Sequence, residues 1–280
     1  MSRICAVVLA VLIGGPNQGN ERVTSRLEGA PRREGVTLSA VSFGTEHGCG
    51  LSADGRAYCW GSNRLGQLGN DDPATGRRSH PVAVATTERF TAISAGANQT
   101  CGLTHDGAAL CWGLNMTGEL GQAIVANECG GFPCSRRPVR VESSVRFDSI
   151  SAGFGHTCAL SGGRAFCWGR NDRGQLGTVR ADERCEGIPC NPLPVRVSAL
   201  EGITSISAGG DHTCAIASGD TYCWGSNQYG QLGVETRTGA NPRPMRLTRP
   251  ERFVSIEARG ISTCARTSSG NRVCWGGAQR

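Results

Sequence analysis

The chain has 280 residues, which is enough for one large domain or two small ones with a buried core. Its 41 glycines and its 19% of charged residues are unsuited to a helical protein and favour an all-β fold with many turns. The formal net charge is +6, but the arginines are scattered rather than clustered, so we expect no nucleic-acid partner.

The first 15 residues have the pattern of a secretory signal peptide. Met1-Ser2-Arg3 supplies positive charge, an apolar run extends from Ile4 to Ile13, and Gly14-Gly15-Pro16 are small. The apolar run is too short to span a membrane. Residues 16–35 are polar and rich in arginine and glutamate, which predicts a linker or a loosely held first strand. We therefore expect an exported protein, either secreted or held in the periplasm or at the cell surface.

Residues 36–280 form an internal repeat. All five tryptophans stand in the tripeptide Cys-Trp-Gly, at intervals of 52, 56, 56 and 51 residues. A rare residue at such regular spacing indicates structural repeats. The five positions are Trp60, Trp112, Trp168, Trp224 and Trp275.

Each repeat contains the same segments in the same order. A short apolar segment such as Ile150-Ser151-Ala152-Gly153 leads into a strand at residues 156–160, and a tight turn leads to a second strand that ends in Cys-Trp-Gly. Gly-Gln-Leu-Gly or a close variant follows, then a variable loop and a Pro-Val strand such as residues 194–197. About four short strands per repeat, repeated radially, predict an all-β propeller of about five four-stranded blades.

Fourteen of the 15 cysteines are expected to form disulfides. In every repeat two cysteines lie equally far from a turn that contains glycine, so they face each other in an antiparallel hairpin at about 4.5–5.5 Å between Cβ atoms. These pairs are Cys49 with Cys59, Cys101 with Cys111, Cys158 with Cys167, Cys214 with Cys223 and Cys264 with Cys274. Two more pairs close small rings in the variable loops of the second and third repeats, and they are Cys129 with Cys134 and Cys185 with Cys190.

This use of cysteine favours an oxidising compartment. The remaining Cys5 lies in the predicted signal peptide, which leaves an even number in the mature chain. Zinc is the alternative ligand for these thiols, but cysteines nine or ten residues apart across a turn do not match the Cys-x₂₋₄-Cys spacing of zinc sites. We expect structural disulfides, with no metal and no cofactor.

The combined motif resembles the repeat of the regulator of chromosome condensation family, in a secreted, cysteine-rich, bacterial-type form. The resemblance covers about residues 37–276 and rests on Ala-Gly-x-x-His-Thr, Cys-Trp-Gly and Gly-Gln-Leu-Gly, as in Gly174-Gln175-Leu176-Gly177. It implies a propeller, usually of seven blades. The last repeat stops at Gly276 without a Pro-Val strand, so a closed five-bladed ring and an incomplete larger ring both agree with the sequence.

The resemblance implies several functions. The founding member of the family is a guanine-nucleotide exchange factor that binds chromatin, and similar repeats occur in secreted bacterial inhibitors of β-lactamase. The second precedent fits an exported chain better. We expect a non-catalytic scaffold that binds a protein or a cell-surface ligand. Nucleotide exchange on a small GTPase and a polysaccharide-acting enzyme that uses the central funnel are the alternatives.

Recurring polar residues offer little for catalysis. His47, His156 and His212 stand two residues before the first hairpin cysteine, where the other repeats have Gln99 and Ser262. A side chain that recurs with the repeat is typical of a structural hydrogen bond. No nucleophile elbow, phosphate loop or His-Glu-x-x-His motif occurs. The tryptophans are expected to form the core between blades.

The variable loops are the candidate binding region. They lie near residues 70–80, 122–137, 178–193 and 234–243, at one place in the repeat, so they are expected to cluster on one face of the propeller. Tolerated insertions without a function are the alternative. The candidate partner-binding residues combine positive charge with apolar side chains, and they are Phe132, Arg136, Arg137, Arg180, Arg184 and Ile188.

Overall fold

The computed structural model describes residues 36–125, 127–179, 183–198, 200–236 and 239–277. The signal peptide predicted at 1–15, the linker predicted at 16–35 and Arg180 lie outside these ranges. The described residues form 21 β-strands in five antiparallel sheets. In these ranges no helix occurs, and hence none that is long and apolar enough to cross a membrane.

The five sheets follow one another along the chain, and each one is a propeller blade. Blade one contains β1 (Leu38–Phe43), β2 (His47–Ser52), β3 (Ala57–Gly61) and β4 (Arg78–Ala83). Blade two contains β5 (Phe90–Ala95), β6 (Gln99–Thr104), β7 (Ala109–Leu114), β8 (Asn127–Cys129) and β9 (Phe132–Arg140). Blade three contains β10 (Ser149–Ala152), β11 (His156–Ser161), β12 (Arg164–Arg170), β13 (Glu183–Cys185) and β14 (Ile188–Arg196). Blade four contains β15 (Ile203–Ala208), β16 (His212–Ala217), β17 (Asp220–Ser226) and β18 (Ala240–Arg246). Blade five contains β19 (Phe253–Arg259), β20 (Ser262–Thr267) and β21 (Arg272–Gly276).

The prediction of an all-β propeller with five blades is confirmed, and the number of strands varies around the predicted four. Blades one and four have four strands in sequence order. Blades two and three have five, because each Cys-x₄-Cys segment folds into a hairpin whose first strand pairs with the edge of the sheet. The described part of blade five has three.

The alternating strand direction sorts the connections onto two faces of the propeller. The turn between the first and second strands of a blade lies at the same end as the long connection after the third strand. We call this end the loop face. The turn between the second and third strands lies at the opposite end, together with the connection to the next blade. We call this end the turn face.

The hairpin cysteines lie where the sequence places them. In each blade the two cysteines are direct partners in the register of the second and third strands. Their Cα atoms are 4.0–4.1 Å apart in all five hairpins. The bridges join Cys49 to Cys59, Cys101 to Cys111, Cys158 to Cys167, Cys214 to Cys223 and Cys264 to Cys274.

The two cysteine pairs of the variable loops are also at bonding distance. Cys129 and Cys134 have a Cα separation of 5.8 Å, and Cys185 and Cys190 have one of 5.9 Å. All seven predicted pairs are therefore close enough to form disulfides. Five of them brace the blades, one in each, and the other two close the loop hairpins of blades two and three.

Tryptophan and threonine join consecutive blades through one carbonyl group. The Trp168 indole N–H and the Thr157 hydroxyl of blade three both donate to the Glu119 carbonyl of blade two, each at 3.0 Å. The same tryptophan bond, at 2.9–3.0 Å, joins blade one to two, three to four and four to five. Trp112, Trp168 and Trp224 are fully buried. The predicted role of tryptophan as core between blades holds at these junctions.

Among the described residues, the tryptophan of blade one is the exception to this pattern. Trp60 is only partly buried, and its ring lies across Gly48, which stands where the other blades have threonine. A Cβ atom at Gly48 would lie 2.7 Å from the Trp60 ring, so glycine makes room for it. Phe43 packs edge-on against that ring at 6.0 Å. Among the described residues, no strand of blade five packs extensively against a strand of blade one.

Candidate binding face

Two short hairpins, each closed by a disulfide, lie on the loop face of two consecutive blades. In blade two, β8 pairs with the start of β9, and the Cys129–Cys134 bridge closes the turn at Gly130-Gly131. In blade three, β13 pairs with the start of β14 in the same way. Glycine is needed at the turn of blade two because both of its glycines have positive φ, at 62° and 85°.

Each hairpin rests on the blade that precedes it. The Asp71 N–H of blade one donates to the Arg136 carbonyl at 2.9 Å. Gly118 of blade two lies so close to Pro192 of the blade-three hairpin that a Cβ atom there would be 2.3 Å from the proline Cα. Within blade two, the Asn115 N–H donates to the Pro133 carbonyl at 2.8 Å. The turn at residues 115–118 thus lies close to both the blade-two hairpin and the start of β14 that follows the blade-three hairpin.

The apolar candidates differ in exposure. Phe132 follows the hairpin turn of blade two and is 45% exposed, whereas Ile188, its counterpart in blade three, is half-buried. Two apolar residues that the sequence reasoning missed are more exposed, namely Ile124 at 83% and Val179 at 63%. Both come shortly after the glycine-rich turn of their blade. Their position at the start of the variable loop was the sequence feature that could have identified them.

The basic candidates are held by local contacts. Arg136 donates to the Glu128 carbonyl at 2.7 Å and is half-buried. Arg137 is exposed and forms an ion pair with Asp71 of blade one. Because this ion pair is exposed, we expect it to position the side chain more than to stabilise the fold.

The blade-three hairpin also carries a basic candidate. Arg184 is exposed on β13 and donates to the Gly187 carbonyl at 3.1 Å, across the turn of its own hairpin. The five described candidates thus lie on two neighbouring hairpins, with aliphatic and aromatic side chains beside guanidinium groups.

The recurring histidines lie inside the protein, away from this face. His47, His156 and His212 each share a hydrogen bond of 2.8–2.9 Å with a threonine hydroxyl of the next blade. Burial lowers the pKa of His47 and His212 to about 4 and that of His156 to about 3. These side chains are neutral at physiological pH and connect blades, which is the structural role that their recurrence predicts. In the described ranges, no cluster of His, Cys, Asp and Glu has the composition of a metal site.

One buried acidic residue, Glu119, was not singled out in the sequence analysis. Glu119 stands where the other complete repeats have Gln67, Gln175 and Gln231. It is fully buried, and its Oε2 atom accepts hydrogen bonds from the Thr117 backbone at 2.6 Å and from the Thr117 hydroxyl at 2.9 Å. Burial raises the pKa of this carboxyl to about 7. The available signal was a single Gly-Glu-Leu-Gly among three Gly-Gln-Leu-Gly motifs.

The chain is similar to several known proteins. The ultraviolet-B receptor UVR8 of Arabidopsis thaliana is 30% identical over 207 residues, which are 72% of this chain and 44% of the receptor. The solved structure of human WBSCR16 has a TM-score of 0.73 at 21% identity and covers 86% of this chain and 62% of that one. Prp20p from Saccharomyces cerevisiae has a TM-score of 0.71 at 22% identity and covers 90% and 58%.

These similarities agree on the fold. The chain spans less than half of the ultraviolet-B receptor and about 60% of the two solved structures. The family match extends over residues 14–280, nearly the whole sequence. The chain therefore belongs to the RCC1-like domain family.

Proposed function

We propose that this protein is an exported, non-catalytic scaffold that binds a partner protein through the two disulfide-closed hairpins of blades two and three. The observation that carries this proposal is their arrangement. They lie on the same face in consecutive blades, and each is closed by a disulfide and contacts the preceding blade. Export is supported by the N-terminal sequence pattern and by seven cysteine pairs at bonding distance.

Rigidity makes these hairpins suitable for binding. A loop that is ordered only when a partner binds loses conformational entropy at that step, and this loss weakens affinity. The disulfides and the backbone bonds at Pro133 and Arg136 order the hairpins beforehand. The surface thus offers preorganised contacts.

The side chains of this surface suit a protein partner. Aromatic and aliphatic anchors surrounded by polar groups are typical of the centre of a protein interface. Phe132, Ile124 and Val179 supply exposed apolar groups, and Arg137 and Arg184 supply exposed guanidinium groups in the same loop regions. A relative gives a precedent, because Prp20p is described with binding properties to Gsp1p and histones. The exchange-regulator alternative is supported by the family alone.

Substitution of the apolar side chains tests the proposal. The test variant combines Ile124→Ser, Phe132→Ser and Val179→Ser. The control combines Val36→Ser and Val254→Ser, two exposed positions away from the loop face. Each purified protein is immobilised, and proteins from the surface and secreted fractions of the source cells are captured and identified by mass spectrometry.

We expect one partner to bind the wild type and the control and to be lost from the test variant. Partner capture that is unchanged in the test variant, with both variants folded by circular dichroism, would contradict the proposed face. Accelerated nucleotide release from a captured GTPase would instead favour the exchange regulator.

A further inference from the structure

The turn face carries an arrangement of charges that repeats from blade to blade. In the first two blades, one exposed carboxylate lies between two exposed arginines. One arginine belongs to the blade itself, and the other belongs to the connection to the next blade. Asp54 lies 3.1 Å from Arg56 and 4.0 Å from Arg89, and Asp106 lies 3.6 Å from Arg140 and 3.3 Å from Arg146.

Blades three and four repeat the arrangement with other residues. The acid of blade three lies on the connection to blade four rather than in the turn, yet it also contacts two guanidinium groups. In blade four, one arginine is bound directly and the other acts on the same carboxylate through its charge. Glu201 contacts Arg164 and Arg196, and Asp220 contacts Arg246 and is influenced by Arg252.

In each of these groups a single carboxylate faces two guanidinium groups. One carboxylate neutralises one of two guanidinium groups, and each arginine has five N–H donors, more than a single carboxylate can accept. The arginines in direct contact with a carboxylate keep 44–58% of their side chains exposed. The turn face therefore presents free donors at one place in four successive blades.

Two of these places are concave. In blade one, a cavity of about 300 Å³ lies between Arg56 and Arg89 and is bordered by Tyr58, Val84 and one acid, Glu88. In blade four, a cavity of about 100 Å³ is lined by three arginines and two acids, so the arginines outnumber the carboxylates; they are Arg246, Arg249, Arg252, Asp220 and Glu251. Arg249 also lies over the Trp275 ring at 5.2 Å. The cavities thus combine paired guanidinium groups with aromatic and aliphatic walls.

We propose that the turn face binds an acidic polysaccharide built from uronic acids, with one sugar carboxylate at each arginine pair. Guanidinium groups recognise carboxylates through paired hydrogen bonds. A polymer that carries carboxylates at regular intervals matches a cation that recurs with every blade. The cavity beside Tyr58 has room for a sugar ring. An acidic protein surface would leave this cavity empty.

Titration with polygalacturonate tests this inference. The test variant combines Arg56→Gln, Arg89→Gln, Arg246→Gln and Arg252→Gln. The control removes the same charge from exposed arginines elsewhere, through Arg64→Gln, Arg77→Gln, Arg243→Gln and Arg259→Gln. Isothermal titration calorimetry measures affinity at low salt and at physiological salt, and circular dichroism confirms that both variants fold. We expect the test variant to bind at least tenfold more weakly, the control to bind within twofold of wild type, and the methyl-esterified polymer not to bind.

Several results would overturn the inference. These are no binding of polygalacturonate, an equal loss of affinity in both variants, and equally tight binding of poly-glutamate or of duplex DNA that depends on the same arginines. Equally tight binding of poly-glutamate would assign the face to an acidic protein, and equally tight binding of duplex DNA would assign it to a nucleic acid. The loop-face variant at residues 124, 132 and 179 is expected to bind the polymer normally, so this inference and the proposed function fail separately.

Discussion

The buried carboxyl of Glu119 makes the stability of blade two depend on pH. Its folded pKa of about 7 exceeds the ordinary glutamate value of 4.5, so the folded state holds the proton more tightly than the unfolded chain. Its contribution is fully present below pH 4.5 and is lost as the pH rises through 7. A difference of this size corresponds to about 3 kcal/mol above pH 7.

Glu119→Gln removes this dependence, since glutamine occupies the same place in the neighbouring repeats. We expect the variant to match wild type near pH 4.5 and to be more stable by up to about 3 kcal/mol at pH 8. Urea denaturation at both pH values measures the difference. Glu183→Gln, at an exposed position, is the control and is expected to have no effect at either pH. A Glu119→Gln variant that gains no stability at pH 8 would show that the carboxylate finds compensation in the fold.

The buried histidines have the opposite pH dependence. Burial lowers the pKa of His212 to about 4, so the unfolded chain takes up protons first as the pH falls below 6.5. Stability is therefore lost between pH 6.5 and 4. His212→Gln, which copies the natural Gln99 of blade two, is expected to unfold less readily on acidification than wild type. Thermal melting at pH 7 and pH 5 measures this, and an identical loss of stability in both proteins would count against it.

At the scale of single elements, the two kinds of disulfide have different effects. Those in the variable loops close a small loop hairpin, whereas those between the second and third strands brace a whole blade. Cys185→Ser with Cys190→Ser is expected to leave the propeller folded but to open the blade-three hairpin, so trypsin cleaves after Arg184 faster than in wild type.

The blade disulfides are expected to affect global stability. Cys158→Ala with Cys167→Ala removes a fully buried bridge and is expected to lower the free energy of unfolding by about 3 kcal/mol. Trypsin digestion and urea denaturation measure the two effects, and equal tryptic rates in wild type and the double serine variant would contradict the first.

Local symmetry decided which elements could be predicted. The register of each hairpin follows from two cysteines at equal distance from a glycine turn, as for Cys158 and Cys167, because the information lies within about ten residues. The fifth strands of blades two and three were missed, since a Cys-x₄-Cys ring does not reveal that β8 and β13 pair with a sheet edge. The contact of Arg137 with Asp71 joins two blades, and a single sequence holds no local signal for it. The grouping of arginines on the turn face likewise appears only when separate loops meet.

At the scale of the whole molecule, stability comes from junctions between consecutive blades. Each junction repeats the tryptophan and threonine bonds to one carbonyl, with Thr100, Thr213 and Thr263 taking the place of Thr157. Blades two to four have a neighbour on both sides. In such arrays the terminal units gain fewer interface contacts and open first. We expect amide hydrogens of β2 and β20 to exchange faster than those of β6, β11 and β16. Hydrogen exchange followed by mass spectrometry measures this order, and uniform protection across the five blades would contradict it.

The central claim, an exported propeller braced by disulfides, is tested most directly by counting free thiols in the protein isolated from its natural source. Alkylation under denaturing conditions, followed by intact mass analysis, reports the free cysteines and the start of the mature chain together. We predict no alkylated cysteine and a chain that lacks the predicted signal peptide at residues 1–15. A chain that retains Met1 and carries 14 or 15 alkylated cysteines would contradict the account.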